Sequence, residues 1–90
     1  MRLRFTRSAT RDLTRLRDFI ARHDPGAAAR AGRRLGRGIR LLQDQPELGQ
    51  AVEDLPDVRE LVAAGDYVVR YTVRDGCVVV LRIWHGREDR

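Results

Sequence analysis

The stretch Asp66–Arg90, DYVVRYTVRDGCVVVLRIWHGREDR, constrains the fold of this chain most. Two β-type runs flank Asp75-Gly76, and Asp-Gly between alternating apolar residues is a strong hairpin signal because both central positions of a type I′ turn need positive φ. Pairing residues whose numbers sum to 151 puts Val73, Tyr71, Val69 and Tyr67 on one face with Val78, Val80, Arg82 and Trp84. The other face then carries Arg74, Thr72, Arg70 and Val68 beside Cys77, Val79, Leu81 and Ile83. The first strand alternates and reads as half buried. The second is apolar on both sides from Cys77 to Leu81, the pattern of a strand that needs cover on both faces.

The rest of the chain offers cover for one face. Arg2–Thr6 alternates, with Leu3 and Phe5 on one side, and predicts a short opening strand. Ser8 is a candidate N-cap for a helix whose apolar positions are Ala9, Leu13, Leu16 and Ile20, with Phe19 beside them. That helix is expected to stop near His23, since Asp24-Pro25 supplies the next N-cap and a proline at the first helical position. A second stripe, Ala28, Ala31, Leu35, Ile39 and Leu42, runs to Pro46, with Arg30, Arg33, Arg37 and Arg40 roughly opposite it. Gly32, Gly36 and Gly38 lie within this helix, either to admit a close neighbour or simply tolerated.

Pro46–Asp57 reads as an acidic connector, Val58–Ala63 as another strand, and Ala64-Gly65-Asp66 as the turn into the hairpin. The order is β-α-α-β-β-β in a single domain spanning residues 1–90. The class is α+β: a helical hairpin on one face of a four-stranded, mainly antiparallel sheet. Two helices cannot cover both faces. The row Cys77, Val79, Leu81 and Ile83, with Arg70 beside it, is therefore expected to meet a second polypeptide.

Ninety residues build one core. Cys77 is the only cysteine, and with His23 and His85 it gives too few soft ligands for a zinc cage, so no metal or cofactor is expected. No apolar run is long enough to span a bilayer, and a cytoplasmic location with no membrane partner is expected. The net charge of +5 conceals an asymmetry: residues 1–45 hold 12 arginines against 4 acids, residues 46–90 hold 6 against 9. A basic half suits an acidic protein segment or phosphate, or is simply a solvated helix surface.

The opening strand followed by Ser8-Ala9-Thr10-Arg11-Asp12-Leu13, the Asp24-Pro25 junction and the run Leu41-Leu42 to Pro46-Glu47-Leu48-Gly49 form a distinctive series. It continues with Val58-Arg59-Glu60-Leu61, the strand Tyr67–Val73 and the ending Ile83-Trp84-His85-Gly86-Arg87. In this order and spacing the whole chain resembles the RelE/ParE superfamily of type II toxins. The resemblance implies a toxin held inactive by a small cognate antitoxin that carries a DNA-binding domain and wraps the toxin with its C-terminal segment.

Two activities occur in that superfamily, and a non-toxic protein-binding module of the same fold is a third reading. RelE-like members cut mRNA in the ribosomal A site, which requires a general base, a general acid and cations around a charged phosphorane. By position Arg59, Arg82, His85 and Arg87 resemble that set, but Leu61 and Val68 stand where such nucleases often carry Lys and Arg, and no tyrosine follows His85. ParE-like members inhibit DNA gyrase without such a constellation. The direct Asp-Pro junction and the ending after His-Gly-Arg resemble this branch, with Arg59, Trp84, His85 and Arg87 as candidate target contacts. Each has a plainer reading: His85 as a cap on the sheet, Trp84 packed on Tyr67, and the arginines in surface ion pairs.

Overall fold

The computed structural model describes residues 1–22 and 24–88. Strand β1 (Arg2–Phe5) leads into helix α1 (Arg7–Ala21) and helix α2 (Pro25–Asp44). Strands β2 (Gln50–Val52), β3 (Leu55–Ala63), β4 (Tyr67–Arg74) and β5 (Cys77–His85) follow. They form one five-stranded sheet in the order β1-β5-β4-β3-β2, with β1 parallel to β5 and every other pair antiparallel. The helices form a hairpin on one face, as the α+β reading requires. The sheet has one more strand than expected, because the acidic connector contains β2 and the first three residues of β3. No helix among the described residues is long and apolar enough to cross a membrane.

Local chemistry sets the boundaries. Asp24 caps α2, accepting from the N–H groups of Gly26 and Ala27 at 3.0 and 3.1 Å, with Pro25 in the first turn. The expected end of α1 at His23 lies outside the described residues; the helix itself closes at Ala21. Its N-cap is Thr6, not Ser8. The Thr6 hydroxyl accepts from the Ala9 N–H at 3.0 Å and donates to the Leu81 carbonyl at 2.8 Å, so one side chain caps the helix and ties it to β5.

Asp75 and Gly76 both have positive φ, 52° and 74°, as the hairpin requires. The 151 register holds from Arg74↔Cys77 to Tyr71↔Val80. Leu81 is then bulged out, and the pairing resumes one residue later as Arg70↔Arg82, Val69↔Ile83, Val68↔Trp84 and Tyr67↔His85. A one-residue slip flips every later side chain to the other face. Two expectations fall with it. Trp84 stands opposite Val68 instead of Tyr67, and Ile83 leaves the open face to lie beneath the helices at 0% exposure.

The core lies between the helices and the sheet. Ala9 and Leu16 of α1 and Leu35, Ile39 and Leu42 of α2 meet Ala63, Val69, Tyr71, Val78, Val80 and Ile83. Each fully buried aliphatic side chain contributes about 1.5–3 kcal/mol relative to an exposed one. Gly38 serves close approach to the sheet: a Cβ there would stand 2.9 Å from the Cβ of Ala63.

Candidate functional site

The open face of the sheet differs from the naked apolar row that the sequence predicts. Cys77 is 8% exposed, flanked across the strands by Arg2 and Arg74, whose stems are long enough to lie over it. Val79 and Leu81 are half-buried and Ile83 is inaccessible, so this row does not form a continuous binding strip. Arg70 on the same face is already engaged. It pairs with Glu60 at 2.6 Å and its guanidinium lies 5.3 Å from the ring centre of Trp84.

A larger concavity lies between the helices. A groove of about 890 Å³ runs between α1 and α2, with β1 at one end. Its apolar lining includes Leu3, Phe5, Leu13, Ile20 and Ala31, and Phe5 is 39% exposed. Gly32 and Gly36 of α2 lie along it, and a Cβ at Gly32 would meet nothing within 4 Å. Gly32 leaves the groove wide, a use of glycine that helix propensity alone does not reveal, while at Gly36 a Cβ would stand 3.1 Å from the Arg40 guanidinium. Arg17, Arg33 and Arg40 also line it, and none has an ion-pair partner among the described residues.

The four residues proposed for nuclease chemistry do not converge. Arg59 lies opposite Tyr71 and His85 opposite Tyr67, four residues or about 13 Å apart along β4. Arg59 turns its guanidinium onto the Gly49 carbonyl at 2.7 Å and that of Glu47 at 3.4 Å. His85 is largely enclosed: its Nδ1 accepts from the Arg87 N–H at 3.0 Å, its Nε2 is 3.8 Å from Asp66, and its ring stands edge-on to Tyr67. Burial, with Asp66 and Glu88 adding to it, pushes the Tyr67 phenol pKa up. Arg82 is bound to Asp12, and Arg87 is exposed in the turn after β5.

Sequence reasoning missed Asp12, the only buried carboxylate among the described residues. It sits in the apolar stripe of α1, three residues after Ala9 and four before Leu16, where an acid is itself a signal. Its oxygens accept from Arg82 Nε at 2.8 Å and Nη2 at 3.2 Å, from the Ile83 N–H at 2.8 Å, and from Arg15. Burial raises its pKa, but the hydrogen bonds from Arg82, Ile83 and Arg15 outweigh that and hold it below the usual carboxylate range. Arg15 donates onward to Glu88 at 2.8 Å and to the Ile83 carbonyl at 3.2 Å, while Glu88 accepts from the His85 N–H. β1 ends at Phe5, so β5 has no partner strand on that edge beyond the bulge. Thr6, Asp12, Arg15 and Glu88 satisfy the backbone groups of Leu81, Ile83 and His85 in its place.

A helical hairpin on one face of a five-stranded sheet, with an apolar groove between the helices, defines a small α+β protein with a surface suited to a partner segment. The chain belongs to the ParE toxin family of type II toxin-antitoxin systems (parDE), whose model matches residues 3–90. It is 41% identical over 82 residues to Toxin RelE2 of Caulobacter vibrioides, covering 91% of each chain. It is 39% identical over 85 residues to Toxin RelE1 of the same organism, covering 91% of this chain and 89% of that one. Its structure resembles a chain of the chromosomal ParDE system from P. aeruginosa with a TM-score of 0.80 at 26% identity, covering 94% and 95% of the two chains. It is a toxin of the RelE/ParE superfamily, and such a toxin has a cognate antitoxin.

Proposed function

We propose that this toxin acts as a ParE-like inhibitor of DNA gyrase and that its antitoxin neutralises it by seating an amphipathic segment in the groove between α1 and α2. The observation carrying the gyrase reading is the dispersal of the nuclease candidates. A general base must reach the 2′-OH that it deprotonates, with cations around the same phosphate. Here the His85 Nδ1 accepts from the Arg87 N–H, and Arg59, about 13 Å away along β4, is held on the carbonyls of a loop. A stoichiometric inhibitor needs no such convergence.

The purified chain added to gyrase is expected to block supercoiling or leave cleaved DNA. An inert reaction overturns the reading. The names of the two Caulobacter relatives favour a ribonuclease as the second reading. Codon-specific cleavage of a labelled message on a translating ribosome would establish it.

The groove reading replaces the open-face row, where Ile83 is inaccessible and Cys77 nearly so. Gly32→Trp puts bulk into open space on the groove wall. It is expected to weaken antitoxin binding at least tenfold while leaving activity on the target intact.

A further inference from the structure

Basic and acidic side chains without ion-pair partners among the described residues gather on two surfaces of opposite charge. One is the groove, apolar within and lined by Arg17, Arg33 and Arg40, with Arg30, Arg34 and Arg37 exposed along the same helix. The other is the β2–β3 lobe, where Glu47, Glu53, Asp54 and Asp57 are exposed and have no cationic partner among the described residues. That lobe also presents Leu48 and Leu55, each 41% exposed. It is therefore an acidic surface bearing leucines, and the groove is a basic cleft lined with apolar side chains.

Within one copy the lobe does not enter the groove: none of Glu47, Leu48, Glu53, Asp54, Leu55 and Asp57 lines it. β1, at one end of the groove, and β2, in the lobe, are the opposite edge strands of the sheet. We propose that free toxin associates head to tail, the β2–β3 lobe of one copy entering the α1–α2 groove of the next. The occupant is a second copy because this chain itself supplies both the acid and the leucines that the groove would complement. Such a contact is heterologous, so it grows into rings or short filaments in place of a closed two-fold dimer. Attraction across it is electrostatic at the rim and weakens as salt shortens the screening length from about 30 Å at 0.01 M to about 8 Å at 0.15 M. This rests on the groove and is independent of whether gyrase is the target, but an antitoxin segment in the groove would exclude it.

Reciprocal charge reversal tests the contact by sedimentation velocity at low salt. Wild-type toxin is expected to shift to larger species as its concentration rises, and the shift is expected to collapse in 0.5 M salt. Arg33→Glu/Arg40→Glu makes the groove acidic against an acidic lobe. Glu47→Arg/Glu53→Arg makes the lobe basic against a basic groove. Each variant alone is expected to remain monomeric, with association weakened at least tenfold. Mixed one to one they are expected to associate again, because each lobe then meets a groove of opposite sign. Circular dichroism confirms that both variants fold. A wild type that stays monomeric at all concentrations, a shift that ignores salt, or a mixture that fails to reassociate overturns the proposal. Gyrase inhibition measured on the same preparations keeps the target question separate.

Discussion

At the β5 edge the chain uses a buried carboxylate, two guanidiniums and Glu88; at the other side of the sheet it holds the loop 46–49 with the Tyr71 phenol and the Arg59 guanidinium, and no carboxylate. The Tyr71 hydroxyl donates to the Pro46 carbonyl at 2.7 Å and accepts from the Gly49 N–H at 2.9 Å. A Cβ at Gly49 would stand 2.7 Å from the Tyr71 ring, so only glycine fits beneath the latch. Both clamps satisfy backbone groups that no strand reaches. They differ in what removal leaves behind. The phenol leaves two unpaired neutral groups, whereas the carboxylate leaves a buried N–H and two arginines facing each other without their shared anion.

The largest expected effect is therefore Asp12→Ala. It is expected to destabilise the fold by about 2–4 kcal/mol in urea denaturation, less than a fully buried pair because the Arg15 and Arg82 side chains are 42% exposed and can turn to water. Tyr71→Phe is expected to cost about 1–3 kcal/mol by stranding the Pro46 carbonyl and Gly49 N–H. A Tyr71→Phe loss that matches or exceeds the Asp12→Ala loss would break the distinction between losing a buried anion and losing a neutral hydroxyl.

Acid should separate the two clamps more cleanly. Asp12 and Glu88 both titrate below their ordinary values of 3.8 and 4.5, Glu88 chiefly through its hydrogen bond from Arg15. A depressed folded pKa means that the native state binds fewer protons than the unfolded one. The stability these acids add is full above their ordinary values and is lost as pH falls through and below them. The urea midpoint of the wild type is expected to fall between about pH 5 and pH 3. Asp12→Asn/Glu88→Gln is expected to start lower and fall less, while Tyr71→Phe should start lower and fall in parallel with the wild type.

The two clamps were also unequally legible in the sequence. Helix periods, the Asp24-Pro25 junction and the Asp75-Gly76 turn are local chemistry, and they place both helices and the central hairpin. The bulge at Leu81 is not local, since leucine carries no turn preference. It occurs where β1 has ended and side chains of α1 take over the edge. Because everything after it changes face, the errors over the placement of Ile83 and Trp84 have that single origin. β2 has three residues, too few to show alternation, and it runs on from Gly49, which Tyr71 and Arg59 hold in place. Asp12 was readable as an acid inside an apolar stripe. Its partners were not, because Arg82 and Ile83 lie 70 and 71 residues away.

The smallest expected effect tests whether the clamps are separate at all. Asp12 acts through the β5 edge and Tyr71 through the loop 46–49, and they share no hydrogen-bond partner. Tyr71 sits on β4, the central strand of the sheet, and β5 pairs directly with it. If the sheet is rigid, the losses in Asp12→Ala/Tyr71→Phe add, with a coupling of no more than about 0.5 kcal/mol. If loosening the β5 edge lets the bulge slip, Val80 shifts against its partner Tyr71 and the phenol loses its aim. The double variant would then lose less than the sum. A coupling above about 1 kcal/mol would mean that the bulge transmits the state of Asp12 across the sheet, and that the two clamps act as one.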